Sequence, residues 1–438
     1  MTELSDRNDG SPKSDRASSL RSFHHRNFRL FFGFNLVSNI GTWVQRVAQD
    51  WLVLQITHSG TALGLVTALQ FLPVLLLSLH GGALADRIDK RIILIITNVG
   101  GGLSALTLGL LVMTNHVHIW HVYALALSLG LFGAIDSPVR QAFAVEMVGP
   151  DDLPNAVSLN SANFNGARLI GPALSGLMIN AFGTGPSFIL NGVSFLGVIF
   201  ALTSIRSEEL YRKPAGKDVD RSVRLGLRYV RARPELLAAI VIVGTMSLCG
   251  LNFQISMALM AKNEFGRGAG AYGLLGSALA IGSLSGALLS ARLGRKPQLK
   301  YVISGAAAFG MFTFFSAFMP NYQTFALVLP FCGFFAIMTI VAASSFIQAS
   351  AKPELHGRVV GIYMLVYVGG TPIGSPFIGW IGQVAGPRWS LFIGGGVTAL
   401  VAVLFGAWNL KRLSSSAGTS RTSYHQFDRQ HDGLRDSG

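Results

Sequence analysis

One stretch of the chain concentrates polar side chains that could do chemistry. Asn35, Asn39, Thr42, Arg46 and Gln49 recur at steps of four, three, four and three inside an otherwise apolar run. On an α-helix this spacing lays all five along one face. Asp50 sits one turn beyond Arg46, close enough to pair with it. A second apolar run repeats the theme with Ser161, Asn165, Arg168 and Pro172. Such a set can line a cavity, carry a proton through Asp50, or form an Arg46–Asp50 gate. It can equally serve as glue between helices. Arg46 and Arg168 are two cations against one acid, and the excess positive charge favours an anionic ligand over a cationic one.

Other reactive sets are missing. The sequence has no GxxxxGK[ST] phosphate loop, hence no ATP motor of its own, and no GxSxG nucleophile element. His116, His118 and His121 stand at a spacing a metal could use, but in a short polar loop where solvation is the simpler fate. Cys249 and Cys332 lie singly in apolar runs with no CxxC pair, so they read as inert thiols. No enzymatic activity, metal or cofactor is expected.

The elements that hold the polar stripe are legible from composition. Of 438 residues, 50% are hydrophobic and 13% charged, and mean hydropathy is +0.47. Soluble globular chains carry about a quarter charged residues, so a water-soluble enzyme is excluded, as is a disordered chain. Twelve apolar runs approach or exceed the roughly 20 residues a spanning helix needs: 28–56, 62–79, 92–113, 122–139, 156–179, 187–205, 236–257, 272–291, 302–319, 324–347, 359–384 and 389–410. Their continuous apolarity predicts an all-α membrane protein and excludes a β-barrel. Residues 1–22 are polar and mixed in charge, unlike a cleavable leader.

A net charge of +14 would suggest nucleic acid in a soluble chain, but here it marks topology, and no nucleic-acid partner is expected. With both termini inside, 30 of the 35 Lys and Arg residues fall on the cytoplasmic side, three on the outer side, and Arg46 and Arg168 within spans. That asymmetry fixes the orientation in a bacterial inner membrane. The expected organisation is a tail at 1–27, a six-helix half at 28–205, a basic linker at 206–234, a second half at 235–410 and a tail at 411–438. Within the linker, Val219, Val223, Leu227 and Val230 share one face, with Arg221, Arg224, Arg228 and Arg231 elsewhere. This predicts an amphipathic helix along the inner leaflet.

The halves echo each other. TALGLVTALQ opens the second run and AYGLLGSALA the eighth; GGALADRIDKR closes the second and SGALLSARLGRK the eighth. Six-helix repeats with a substrate path between them are the usual plan of secondary transporters. Gly82-x3-Asp86-Arg87-x2-Lys90-Arg91, between the second and third runs, resembles the cytoplasmic signature of the major facilitator superfamily, with Asp89 where that family has Gly. NGARLIGPALSG, with Gly166, Gly171, Pro172 and Gly176, resembles the Gly-Pro element of its exporters. The segments at 27–57 and 357–382 are similar to its enterobactin-exporter and macrolide-efflux branch. The resemblance spans about residues 27–408. It implies twelve helices in two repeats, and an inner latch in which Asp86, Arg87, Lys90 and Arg91 engage acids such as Asp136, followed one turn later by Arg140. It also implies a proton-coupled exporter of a small amphipathic or anionic compound, siderophore-like or macrolide-like, working as a monomer in the bilayer. The alternative is a transporter-like sensor that binds a ligand without moving it.

The topology has a direct test. In a background lacking Cys249 and Cys332, single cysteines at Thr57, Asn115 and Asn321 should react with an impermeant thiol reagent added outside intact cells. Cysteines at Asp89, Lys217 and Lys296 should stay unlabelled; the reverse pattern would overturn the orientation.

Overall fold

The computed structural model describes residues 20–211, 223–293 and 297–432; the side chains of 78–87, 223–224 and 412–432 lie outside that description. Among the described residues the regular structure is helical: α1 (Arg26–Thr57), α2 (Gly60–Arg87), α3 (Lys90–Met113), α4 (Ile119–Phe182), α5 (Gly185–Thr203), α6 (Val223–Arg231), α7 (Pro234–Thr245), α8 (Phe253–Leu259), α9 (Ala269–Leu293), α10 (Leu299–Ser316), α11 (Tyr322–Ser350), α12 (His356–Val384) and α13 (Pro387–Asp432). With no water in the hydrocarbon layer, helices satisfy their own backbone groups. Ten described segments are long and apolar enough to cross a membrane. One of them, α4, holds two crossings, and α1, 32 residues long but polar along one side, brings the number to twelve.

Local sequence explains the breaks. The 64 residues of α4 split at Gly149, whose φ of +74° is left-handed and favours glycine; Pro150 and Pro154 follow. The two arms, 119–148 and 150–182, extend the expected spans by several residues at both ends. The span expected at 236–257 runs from Pro234 to Glu264 and contains two π-helical turns, Met246–Gly250 and Met260–Glu264, around α8. Between α2 and α3 the chain turns in two residues. Asp89 caps α3 by accepting a hydrogen bond from the Arg91 amide at 2.9 Å, with ordinary backbone angles (φ −55°). The turn therefore does not need the family's Gly. The last helix passes its expected end at 410 and continues to Asp432.

The linker carries a helix, α6, over Val223–Arg231. Of the face expected to be covered, Val230 is buried, and Gly226 packs close to Arg358 and Ile362 of α12. Leu227, however, is exposed, as are Arg228 and Arg231. Gly226 and Val230 meet the bundle, and Leu227 is left uncovered by protein, as a residue facing the inner leaflet would be. Arg221 and Val219 lie outside the described residues.

The first six spans (α1–α5) pack on each other, as do the last six, and two helix pairs join the sets: α2 with α12, and the second arm of α4 with α9. These are equivalent pairs under the sequence repeat. Small residues make the approach possible. Gly64 meets Ser375, whose hydroxyl donates to the Gly64 carbonyl at 3.0 Å; Gly176 meets Gly270. The apolar core is continuous across both sets at the end remote from the termini, where Trp51, Leu63, Phe253, Leu259, Tyr272 and Leu329 share one cluster. Toward the termini it divides into one cluster around Phe28 and Phe143 and another around Leu236 and Val302.

This packing predicts an asymmetric response to bulk. A Cβ on Gly64 would fall on the Ser375 carbonyl and 2.7 Å from the Pro376 Cα, whereas one on Gly166 meets nothing within 4 Å. Gly64→Leu should lower the melting temperature of the purified protein, overpacking costing about 1–3 kcal/mol. Gly166→Leu should leave it near wild type. Equal melting curves would refute the close α2–α12 contact.

Candidate functional site

Where the two sets separate, they enclose a cavity of about 300 Å³. The N-terminal set supplies Trp43, Arg46, Phe71, Phe164, Arg168 and Pro172; the C-terminal set supplies Phe253, Gln254, Met257, Tyr272, Tyr367 and Thr371. Trp43 stands between the two guanidiniums, with Arg46 Cζ 5.1 Å and Arg168 Cζ 5.7 Å from its ring centre; Phe71 takes Arg46 at 5.2 Å. An aromatic face holds a guanidinium with about 0.5–2 kcal/mol and consumes none of its hydrogen-bond donors. Neither arginine forms an ion pair among the described residues, and Arg46 Nε is buried without a hydrogen-bond partner. The cavity is thus positively charged and aromatic, with no carboxylate among its lining residues.

The expected Arg46–Asp50 pair does not form. Asp50 is not part of the cavity lining; its carboxylate accepts from the hydroxyl of the lining residue Tyr272 at 2.7 Å, with both residues almost fully buried. Asp50 belongs to α1 and Tyr272 to α9, so this bond ties the two sets together. Nearby, Trp51 stacks on Tyr272 at 6.3 Å, and Lys262 donates to the Leu54 carbonyl. Further out, the Gln383 side-chain carbonyl accepts from Ser59 and Thr61 at 2.6 and 2.9 Å. Gln49 is buried beside this layer rather than in the cavity.

The lower part of the α1 stripe lines a different space. Asn35, Asn39, Thr42 and again Arg46 border a second cavity of about 340 Å³ within the N-terminal set, with Gln70, Phe71, Asp136 and Arg140. Asn39 donates to Asn163 at 2.9 Å. Asn165, expected on the lining, instead donates to its own helix at the Ser161 carbonyl (2.8 Å); the faces in use are those of Asn163 and of Phe164, Arg168 and Pro172. In the Gly-Pro element, Gly171 packs on Trp43 and Gly176 and Pro172 on α9, while Gly166 faces open space.

The expected latch is also revised. Asp136 is held by its own helix neighbour: Arg140 Nε and Nη2 donate at 2.6 and 2.9 Å, and Thr97 and Asn98 add donors at 2.9 and 3.1 Å. Arg140 also donates to Asn35 at 2.6 Å. This carboxylate is not paired with Lys90 or Arg91. Lys90 pairs with Glu146 at 2.8 Å, and Arg91 donates to the Thr203 carbonyl at 2.6 Å. The side chains of Asp86 and Arg87, and the surroundings of Gly82, lie outside the described residues. Glu146, Tyr272, Trp43 and Gln70 escaped the sequence argument. Glu146 follows Arg140 by six residues and could have been found as the next acid on α4; Tyr272 by its place in the repeat beside Ala62.

A polytopic bundle of two six-helix sets around a central cavity defines a membrane transporter of small molecules. A family described as transmembrane secretion effectors matches residues 17–434, and the chain belongs to that family of the major facilitator superfamily. It is similar to the staphyloferrin A transporter of Staphylococcus aureus (24% identity over 391 residues, covering 86% of this chain and 95% of the relative). The enterobactin exporter EntS of Escherichia coli O1:K1 is 22% identical, over 87% of this chain and 91% of its own length. The multidrug efflux pump Tap of Mycolicibacterium fortuitum is 29% identical, over 80% and 88%. A crystal structure of a bacterial homologue of the human lysosomal transporter Spinster shares the fold, with a TM-score of 0.68, 14% identity and coverage of 86% and 95%.

The Lys90–Glu146 pair is partly exposed, so its expected contribution is at most about 1 kcal/mol. Lys90→Glu should lower stability by about that amount, and the swap Lys90→Glu/Glu146→Lys should recover most of it in thermal unfolding. A swap no better than the single variant would dissolve the pair.

Proposed function

We propose that this transporter is an exporter of a small amphipathic, anionic compound, driven by the proton gradient and working by alternating access. It acts as a monomer in the bacterial inner membrane with both termini in the cytoplasm. The observation that carries this reading is the pair Arg46 and Arg168, facing a cavity between the two sets without a carboxylate opposite them. A cation in a low-dielectric site costs several kcal/mol unless compensated, and an anionic substrate supplies the compensation. The siderophore transporters and the efflux pump among the relatives support both the substrate class and the direction.

Asp50 is the proposed proton carrier. It is the acid placed between the cavity and the closed far end, and its hydrogen bond to Tyr272 links its protonation to the contact between the halves. The inner gate runs through the loop after α2, with Gly82, Asp86 and Arg87, and through Lys90 with Glu146, Arg91, and the Asp136–Arg140 pair. The closed far end and the divided core at the termini correspond to a state facing the cytoplasm.

The test is flux into inverted vesicles with and without an imposed pH gradient. Wild type should accumulate an anionic probe only with the gradient. Asp50→Asn should bind the probe but lose the gradient-dependent part. Arg168→Ala should weaken an anionic probe by roughly 10–100-fold, the worth of a hydrogen bond to a charged group, and a neutral analogue far less. Full gradient-driven flux in Asp50→Asn would remove Asp50 from coupling, and equal binding of both probes by Arg168→Ala would remove the cationic site.

A further inference from the structure

The two cavities share a wall. Arg46 and Phe71 belong to the linings of both, the cavity between the halves and the one inside the N-terminal half. Their chemistry differs. The first is aromatic and cationic. The second is lined by amides and hydroxyls: Asn35, Ser38, Asn39, Thr42, Gln45 and Gln70. Its one acid and its one cation besides Arg46 cancel, because Asp136 and Arg140 form a two-bond ion pair. From Asn35 to Arg46 the polar wall of α1 rises about 16 Å, at 1.5 Å per residue.

Arg46 at the shared wall and Gln70 in the second cavity each carry a polar group with no hydrogen-bond partner among the described residues. Arg46 Nε is buried and unbonded, and the Gln70 amide makes no hydrogen bond among the described residues although it lines the second cavity. Buried polar groups are nearly always satisfied in a finished structure, so the open buried donor of Arg46 on the wall common to both cavities points to a ligand that completes it, and the Gln70 amide is free to meet the same ligand in the second cavity. Each cavity is at the lower limit for a small-molecule site, about 300 Å³, and the two in series reach the middle of the usual range.

We propose that a single substrate molecule occupies both cavities at once, threading past Arg46 and Phe71. Its acidic group lies at Arg46 and Arg168, its aromatic or apolar body between the halves, and an uncharged arm bearing hydroxyls or amides in the N-terminal cavity. The arm is uncharged because the second cavity offers no free charge beyond Arg46. A compact anion fills one cavity only and binds more weakly. This inference rests on the anionic-substrate reading and adds the shape and the polar arm of the substrate. The N-terminal half then carries most of the polar recognition, and the C-terminal half mainly apolar contact, through Phe253, Met257 and Tyr367.

The experiment uses the purified full-length protein in nanodiscs and two probes. One is 6-hydroxy-2-naphthoic acid; the other is the same acid carrying an N-methylglucamide arm on its 6-oxygen through a short ether. Binding is followed by tryptophan fluorescence. In wild type the armed probe should bind at least about fivefold more tightly than the bare acid, the worth of one net hydrogen bond. Gln70→Leu removes an amide that supports nothing in the fold. Gly133→Leu fills the N-terminal cavity from a position where a Cβ meets nothing within 4 Å. Both variants should bind the bare acid as wild type does and lose the preference for the arm. Arg168→Ala should weaken both probes. Bare-acid binding that depends on Arg168, with no gain from the arm or a gain untouched by both variants, would overturn the two-cavity proposal and leave the anionic site standing. Bare-acid binding indifferent to Arg168→Ala, or absent altogether, would overturn both.

Discussion

The hydrogen bond from Tyr272 to Asp50 is the constraint around which the molecule is arranged. It joins α1 to α9, hence one six-helix half to the other, in a layer where both residues are almost fully dry. A buried carboxylate without a donor would cost several kcal/mol, so Tyr272 holds Asp50 and Asp50 holds the halves together. Beyond it the closure is close-packed, through glycine contacts of α2 with α12 and of α4 with α9 and the hydrogen bonds of Gln383 with Ser59 and Thr61. Below it the halves part, and the cavity begins with Arg46, one turn away on the same helix. The contact between the halves and the proposed binding surface thus share a single element, α1.

The same placement explains why the membrane tolerates this polar content. Asn39 is bonded to Asn163, Asn191 to Gln45, and Asp136 to four donors from Arg140, Thr97 and Asn98. Those groups are settled within the N-terminal half and make it a rigid unit. Arg46 Nε and the Gln70 amide, by contrast, stay open at cavity walls.

The sequence made the fold largely legible. Twelve apolar runs, the repeat between 61–91 and 271–296 and the charge asymmetry each follow from the bilayer acting as solvent, a constraint that leaves few alternatives. The α1 stripe was also readable, because a helical period survives in any context. Its division was not. Residues 35–46 line one cavity, Arg46 lines two, and Asp50 turns to a partner 222 residues away. Which neighbour a polar side chain chooses depends on packing between distant spans, which spacing within one helix does not encode. Asn165 shows the same limit at short range: a slip of two residues moves a side chain half-way round the helix, and Asn163 takes the contact. Asp136 looked like a latch partner because it is an acid near the right end, but Arg140, four residues on, claims it first.

Alternating access requires that the far-end closure open as a unit, and distances across it test that claim most directly. Phe182, at the end of α4, and Gln323, at the start of α11, are exposed and lie on opposite halves. Spin labels on Phe182→Cys/Gln323→Cys, in a background without Cys249 and Cys332, report the gap by double electron–electron resonance. The account predicts a short distance matching the closed structure together with a longer population. Tyr272→Phe should enlarge the longer one by roughly two- to tenfold, the effect of losing a membrane-buried hydrogen bond of about 0.5–1.5 kcal/mol. A single distance, unchanged by Tyr272→Phe and by substrate, would contradict it.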